Sequence, residues 1–454
     1  MHITVAELAT LLGVESPADL EPESIIEGLS TDSRAVERGQ VFVALQGDKF
    51  DGTQYAAAAV EAGAVVAVVD RAVEGLQGRQ LVVVDTLQAL QQIAHVWRGK
   101  VSAKVAAVTG SAGKSTTKDL LAAICEQAGP TVATIATENN EIGVPKTLLR
   151  LMPEDRFCVV EFGMRGRGQI RQLTEIACPE VGVITCIGEA HLGLLGSREA
   201  IAESKAELLP LLPPDGVAVL PADDFFYPLL RGMCACRVIP FGMSPEAEVR
   251  AVEVLEETLT ATRALLALGE ETVEVTVPLP GRHNLSNALA AAAAALGLGC
   301  TAGQIKVGIE SYAGLQMRGE IVSGPYGSTI INDAYNANPT SMVAALQMLS
   351  KAPGRKILVF GDMLELGETA PAAHAKVGEL AAEAGVSLLV TVGEMAALAA
   401  EVAEARGVEV RIANTPEEAA EALHPKLREG DTVLVKGSRG TQLERTVRQL
   451  LHAE

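Results

Sequence analysis

Thr109, Gly110, Ser111, Ala112, Gly113, Lys114, Ser115 and Thr116 stand in an order suited to handling phosphate. The N–H groups of a glycine-bearing loop and the start of the next helix attract an anion. Lys114 then reaches the outer phosphates of an ATP-type ligand, and the Ser115 hydroxyl can ligate Mg²⁺. The loop is shortened, because the usual pattern has glycine six positions before the lysine and this chain has Val108 there. Glu161, in the apolar run CVVEFGM, and His191, four residues after Ile187, add a carboxylate and an imidazole at strand ends. Each alone is an ordinary strand-end polar group, but together with the loop they read as metal ligands. Lys205 is the oddity. Ser197 is a suitable N-cap for a helix running to Leu209, ahead of Pro210, and Ile201, Lys205, Leu208 and Leu212 fall on one face of it. A lysine in an apolar stripe either snorkels to water or must be neutralised. Reaction with CO₂ would turn it into a carbamate, a carboxylate-like ligand.

The elements around these residues decide whether the pattern is more than chance. Val105 to Val108 read as a short buried strand, and Leu120, Leu121, Ile124 and Ala128 carry helical spacing up to Gly129-Pro130. Strands are expected at Thr131–Ile135, Cys158–Phe162 and Val181–Ile187 with helices between, an alternation that argues for a parallel sheet. Residues 213–277 read as strands punctuated by Pro and Gly. Pro280 to Asn287 then lead into an alanine-rich helix, Ala288–Leu296, ending at Gly297. Polar side chains ahead of such a helix are caps first, although two Asn and a His can also grip a purine. From Gln316 the alternation resumes, with strands at Thr329–Asn332, Lys356–Phe360, Leu388–Val392, Val408–Ile412 and Thr432–Val435, a doubly wound pattern.

At 454 residues the chain is too long for one core, and about three domains are expected. Residues 1–84 form a small α/β unit whose polar focus, Ser30 to Arg34, reads as turn chemistry or a binding loop. Thirty-seven basic against 57 acidic residues leave a net charge of −20, which excludes non-specific binding to nucleic acid or anionic membrane. An anionic substrate must therefore meet local basic residues. The absence of a long apolar run or a signal-peptide pattern at Met1–Thr4 leads us to expect a cytoplasmic protein without membrane insertion. The seven scattered cysteines are expected to be reduced.

These residues resemble the Mur ligases, the ATP-dependent enzymes that build the peptide of peptidoglycan, over essentially the whole chain. The shortened TGSAGKST loop, ENNEIGVP at 138–145, Glu161, His191, Lys205, GRHNLSN at 281–287 and Arg318 carry the resemblance, and folylpolyglutamate synthases share these marks. More specific are DSRAVERGQVFVALQGDKFDG at 32–52, DAYNANPTSM at 333–342 and GDMLELGE at 361–368, similar to the branch that adds D-alanyl-D-alanine. The D-N-P motif of the branch adding the third amino acid does not occur.

The resemblance implies an α/β protein of three domains. They are a small N-terminal α/β domain (1–84) for the UDP-substrate, a central P-loop, parallel-sheet ATPase-like domain (85–315), and a C-terminal Rossmann-like domain (316–454) for D-alanyl-D-alanine. It also implies an ATP-dependent carboxylate–amine ligase of cytoplasmic peptidoglycan precursor synthesis. ATP would phosphorylate the carboxylate of a UDP-N-acetylmuramoyl-tripeptide, and the dipeptide amine would attack the acyl phosphate. Lys114, His191 and Lys205 would be catalytic. Ser115 and Glu161 would hold one Mg²⁺, and His191 with carbamylated Lys205 the second. Asn284 and Asn287 would contact adenine, Arg318 the phosphates and Asp333 the ribose. Ser33 and Arg34 would lie at the uridine end and Asn139 and Asn140 at the sugar-peptide part. Tyr335, Asn336, Lys436 and Ser438 would meet the dipeptide. The enzyme is expected to act as a monomer whose third domain closes over the site. A regulatory GTPase would need an N-K-x-D motif, which is absent. A non-catalytic UDP-sugar binder would not need Lys114, Glu161, His191 and Lys205 together.

Overall fold

The computed structural model describes residues 1–17, 19–47, 50–76 and 78–452, so Asp48 and Lys49 of the 32–52 motif lie outside the described residues. The first unit opens with strand His2–Thr4 and helix Val5–Leu12, the helix closed at its start by a reciprocal Thr4–Glu7 capping box and at its end by Gly13 in the left-handed region. Four parallel strands follow in the order Leu29–Ser30, Val41–Val43, Val66–Val69, Gln80–Val82.

Helix Thr86–Lys100, capped by Asp85, packs against helices Gly143–Leu149 and Gln169–Ala177 of the second unit and against Val5–Leu12 of the first. One apolar core therefore runs through both units, from Leu8 and Val43 through Ile93 to Val160. The central sheet has nine strands, beginning Thr131–Ala133, Phe157–Glu161, Lys104–Thr109, Val181–Ile184, Val217–Pro221. Pairing is parallel as far as Val249–Glu257 and antiparallel through Thr262–Leu268 and Glu271–Val277. The P-loop strand lies well inside the sheet, so its C-terminal end opens onto the crevice where such sheets bind ligands.

Two helices differ from expectation. The alanine-rich helix begins at Arg282 and runs through Gly297 to Leu298, so His283, Asn284 and Asn287 lie in its first turns and not before it. A helical glycine costs about 1 kcal/mol relative to alanine, and burial of the alanine face outweighs it. Ala290 to Ala295 are fully buried, and their small size lets this helix lie close against the P-loop helix Lys114–Glu126. The helix bearing Lys205 starts at the Ser197 cap as expected, with Ala200 N–H donating to Ser197 Oγ at 3.1 Å, but it ends at Ala206. Pro210 disfavours helical backbone ahead of it, and the chain continues as a 3₁₀ turn, Leu209–Leu211.

The third unit is a six-stranded sheet ordered Glu320–Ser323, Thr329–Asp333, Thr432–Lys436, Lys356–Gly361, Val386–Val392, Glu409–Ala413. Only the edge strand Glu320–Ser323 pairs antiparallel. Separate cores on its two faces bury helices on both sides, the doubly wound arrangement.

Candidate active site

The phosphate loop is built by close approach. A Cβ on Gly110 would lie 1.8 Å from Thr185 Oγ1, and one on Gly113, whose φ is +79°, would lie 2.1 Å from Asn287 Oδ1. Only glycine fits either position. Lys114 begins the helix and folds back over the loop, donating to Gly110 O at 3.0 Å. Thr185 Oγ1 donates to Ala112 O at 2.5 Å, and Thr109 Oγ1 to Phe162 O at 3.1 Å. Ser111 Oγ is buried without a partner among the described residues, a hydroxyl left for a ligand. We expect Gly113→Ala to weaken ATP binding by about 5–150-fold, since backbone strain there is of order 1–3 kcal/mol. Calorimetric titration with a non-hydrolysable ATP analogue tests this, and unchanged affinity would count against the cradle.

Beside the loop, Ser115 Oγ donates to Glu161 Oε2 at 2.6 Å, and Asn139 Nδ2 to Glu161 Oε1 at 2.7 Å. Glu161 is buried, and its backbone N–H is held by Thr134 Oγ1 at 3.0 Å. Hydroxyl and carboxylate oxygens at a helix N-terminus are the donor set that suits Mg²⁺. Asn140 has a structural task, its Oδ1 accepting the Gly143 N–H at 2.9 Å.

Lys205 does not snorkel. It is 1% exposed, among the largest fully buried side chains, and it lines the same cleft. Burial, and then the positive charge of Lys114, push its pKa well below the ordinary lysine value, with Cys186 opposing. Burial also lowers Lys114, where Glu161 opposes and Arg318 adds to the fall. His191 is lowered by burial and then by Lys205 and Lys114, against the pull of Glu365. A chain of net charge −20 thus gathers three basic side chains in one place. Among the described residues, no group of three or more His, Cys, Asp or Glu side chains is arranged to hold a metal ion. A second metal near His191 therefore requires an anionic ligand that Lys205 does not provide as an ammonium.

The cleft has a volume of about 940 Å³ and lies between the central and third domains. Its walls include Thr116, Asn284, Asn287, Arg318, Asp333 and Tyr335. Asn284 Nδ2 donates to Pro280 O at 2.8 Å, and Asn287 Nδ2 to Asn284 Oδ1 at 3.2 Å. Burial lowers the pKa of neighbouring His283. The Arg318 guanidinium lies 4.0 Å from the Tyr335 ring centre, and Arg439 faces the same ring at 6.0 Å. Lys436 pairs with Asp333 and donates to Asn336 O at 3.0 Å. Ser438 Oγ donates to Ala337 O at 3.2 Å and accepts the Leu364 N–H at 2.9 Å. Lys436 and Ser438 line the cleft as well as bonding within their own domain.

Ser33 and Arg34 are not brought to this cleft. They sit in the first domain, where Arg34 forks onto Asp32 at 2.9 and 2.7 Å. The Arg34 hydrogen bonds hold the Asp32 carboxyl down to about 2, with Lys146 adding a smaller effect. Sequence reasoning missed Thr185, Arg439, Asn338, Thr340 and Glu365. Asn338 Nδ2 donates to Ser111 O at 3.4 Å, Glu189 N–H to Thr340 Oγ1 at 3.4 Å, and Glu365 Oε2 lies 2.8 Å from His191 Nδ1. Asn338, Thr340 and Glu365 stand inside the third-domain motifs, which was the available signal. Thr185 had none.

Family profiles match three stretches: "Mur ligase family, catalytic domain" over residues 25–98, "Mur ligase middle domain" over 108–295, and "Mur ligase, glutamate ligase domain" over 317–439. The UDP-N-acetylmuramoyl-tripeptide–D-alanyl-D-alanine ligase of Synechocystis sp. is 38% identical over 442 residues, 96% of this chain and 94% of that one. The Escherichia coli enzyme of the same name is 35% identical, covering 99% and 98%. Among solved structures, MurF from Acinetobacter baumannii superposes with a TM-score of 0.92 at 34% identity, covering 99% of both chains. MurF from Thermotoga maritima, in complex with ADP, gives 0.82 at 26% identity over 93% of this chain and 97% of that one.

Proposed function

The chain belongs to the Mur ligase family, and from that footing we propose that it joins D-alanyl-D-alanine to UDP-N-acetylmuramoyl-tripeptide, driven by ATP. The observation that carries this reading is one cleft in which a phosphate cradle, the Ser115–Glu161 pair and buried Lys205 face Arg318, Asp333 and Tyr335. Such a site suits a reaction that needs charge neutralisation and positioning more than a nucleophile.

In this reading the terminal phosphoryl group of ATP passes to the tripeptide carboxylate. The dipeptide amine attacks the resulting acyl phosphate, and the tetrahedral intermediate expels phosphate. Lys114, folded over the loop, neutralises charge on the phosphoryl group in flight. Ser115 and Glu161 would hold one Mg²⁺, and His191 with Lys205 as its carbamate a second; such ions neutralise phosphate charge. Asn284 and Asn287 contact adenine, Arg318 the phosphates and Asp333 the ribose. Ser33 and Arg34 take the uridine end, in the first domain and away from the cleft, while Asn139 and Asn140 meet the sugar-peptide part. Tyr335, Asn336, Lys436 and Ser438 form the dipeptide wall, with Lys436 also bonded to Asn336 O. We assign residues 1–84 to the UDP-substrate domain, 85–315 to the ATP domain and 316–454 to the dipeptide domain. The enzyme acts as a monomer in this reading. ATP and UDP-linked precursors are cytoplasmic solutes, and no helix among the described residues is long and apolar enough to cross a membrane.

A substrate panel tests the reading. ADP should form only when the UDP-muramoyl tripeptide and D-alanyl-D-alanine are both present. Robust ADP formation with folate and glutamate instead would replace this reading with that of a folylpolyglutamate synthase.

A further inference from the structure

One contact between the central and third domains joins a carboxylate to a histidine of the cleft. Glu365, in the 361–368 motif, reaches His191 with Oε2 2.8 Å from Nδ1, and Arg165 stands 3.9 Å from its Oε1. An ionised carboxylate only accepts, so the proton of this hydrogen bond sits on Nδ1. In a neutral ring Nε2 then keeps its lone pair, and His191 lines the cleft.

Both partners hold the left-handed backbone region, His191 at φ +65° and Glu365 at φ +64°. Non-glycine residues persist there when their surroundings over-determine them, and such strain gathers at functional sites. The surroundings do so here. Behind Glu365, the Met363 N–H donates to Nε2 of fully buried His374 at 2.8 Å, and His374 Nδ1 donates to Ala370 O at 2.7 Å. Ser438 Oγ accepts the Leu364 N–H at 2.9 Å. Beside this bond the backbones of the two domains touch, since a Cβ on Gly193 would lie 2.6 Å from Gly367 N. A braced loop of the third domain therefore meets the central domain at the His191–Glu365 hydrogen bond.

We propose that Glu365 is a positioning residue of the ligase reaction, which sets the His191 tautomer and ring orientation, leaving Nε2 free, only while the third domain is docked. The proposal rests on the reading of His191 as a metal ligand given above. It makes that ligand conditional on domain docking, so that ATP bound to the central domain alone meets an incomplete site. A carboxylate behind a metal-binding histidine commonly changes metal affinity about 10–100-fold when removed.

The test uses the full chain and the variants Glu365→Ala and Glu365→Gln, with circular dichroism as the folding control. In ¹⁵N-histidine NMR of the ligand-free protein, wild-type His191 should be the Nδ1–H tautomer. Glu365→Ala should lose that preference, whereas Glu365→Gln, whose carbonyl still accepts, should keep it. In turnover assays Glu365→Ala should need about 10–100-fold more Mg²⁺ for half-maximal rate, and Glu365→Gln should stay near wild type. The proposal is overturned if Glu365→Ala keeps either the wild-type tautomer or the wild-type Mg²⁺ requirement. Failure of the ligase reading would show differently, as a wild-type chain inactive with both substrates, and the NMR arm would still decide whether Glu365 sets His191.

Discussion

Lys114→Ala abolishes ligase turnover while leaving the chain folded. The lysine opens the P-loop helix, and its ammonium is held over the loop by Gly110 O at 3.0 Å. It is therefore already positioned where phosphate charge would gather and needs no rearrangement to meet it. Loss of one such preorganised donor costs about 10²–10³ in rate. The fold does not depend on this side chain. Burial disfavours its charged form and lowers its pKa, so removing it takes away a desolvated cation as well as a few methylenes. Phosphate release measured beside circular dichroism checks the result. Near-normal release from a folded mutant would sink the P-loop reading.

Lys205→Ala is expected to be equally inactive, but recoverable with a short carboxylate such as acetate or formate. The side chain is 1% exposed, and its pKa is pushed well down by burial and then by Lys114. The sign follows from linkage: the folded state holds this proton less tightly than the unfolded chain, whose lysine titrates near ~10.4. Keeping Lys205 as an ammonium therefore costs stability at neutral pH, and the same shift enlarges the neutral amine fraction. That amine's lone pair can attack CO₂, and a proton leaves to solvent, so a cation becomes an anionic oxygen ligand. Near Lys114 and His191 an anion is what the local field favours. An added carboxylate occupying the vacated space should replace those oxygens, and it should do nothing for Lys114→Ala. Retained activity in Lys205→Ala, or failure of every small acid to restore it in a folded protein, would refute the carbamate.

Much of this architecture was legible because its signals are local. The strand before Gly110, the helix after Lys114 and the Ser197 cap follow from period, caps and breakers within a few residues. The doubly wound third domain followed from alternation alone. Helix ends were less legible where tertiary burial overrode a local breaker, as at Gly297, which the alanine-rich helix runs through.

The residue types at the site, Lys114, Ser115, Glu161, His191 and Lys205, and their places at strand ends and helix starts, were determined by the sequence. Tertiary structure decided what each of them meets. Ser115 finds Glu161 from 46 positions away, and His191 finds Glu365 from 174. Lys205 could have snorkelled from its helix, and tertiary packing instead leaves it 1% exposed at the cleft. Ser33 and Arg34, in a conspicuous motif, sit in the first domain and do not line the cleft. Local periodicity specifies which face of an element is apolar. Burial, hydrogen-bond partners and pKa arise only when distant elements exclude water together, and no window along the chain contains that information.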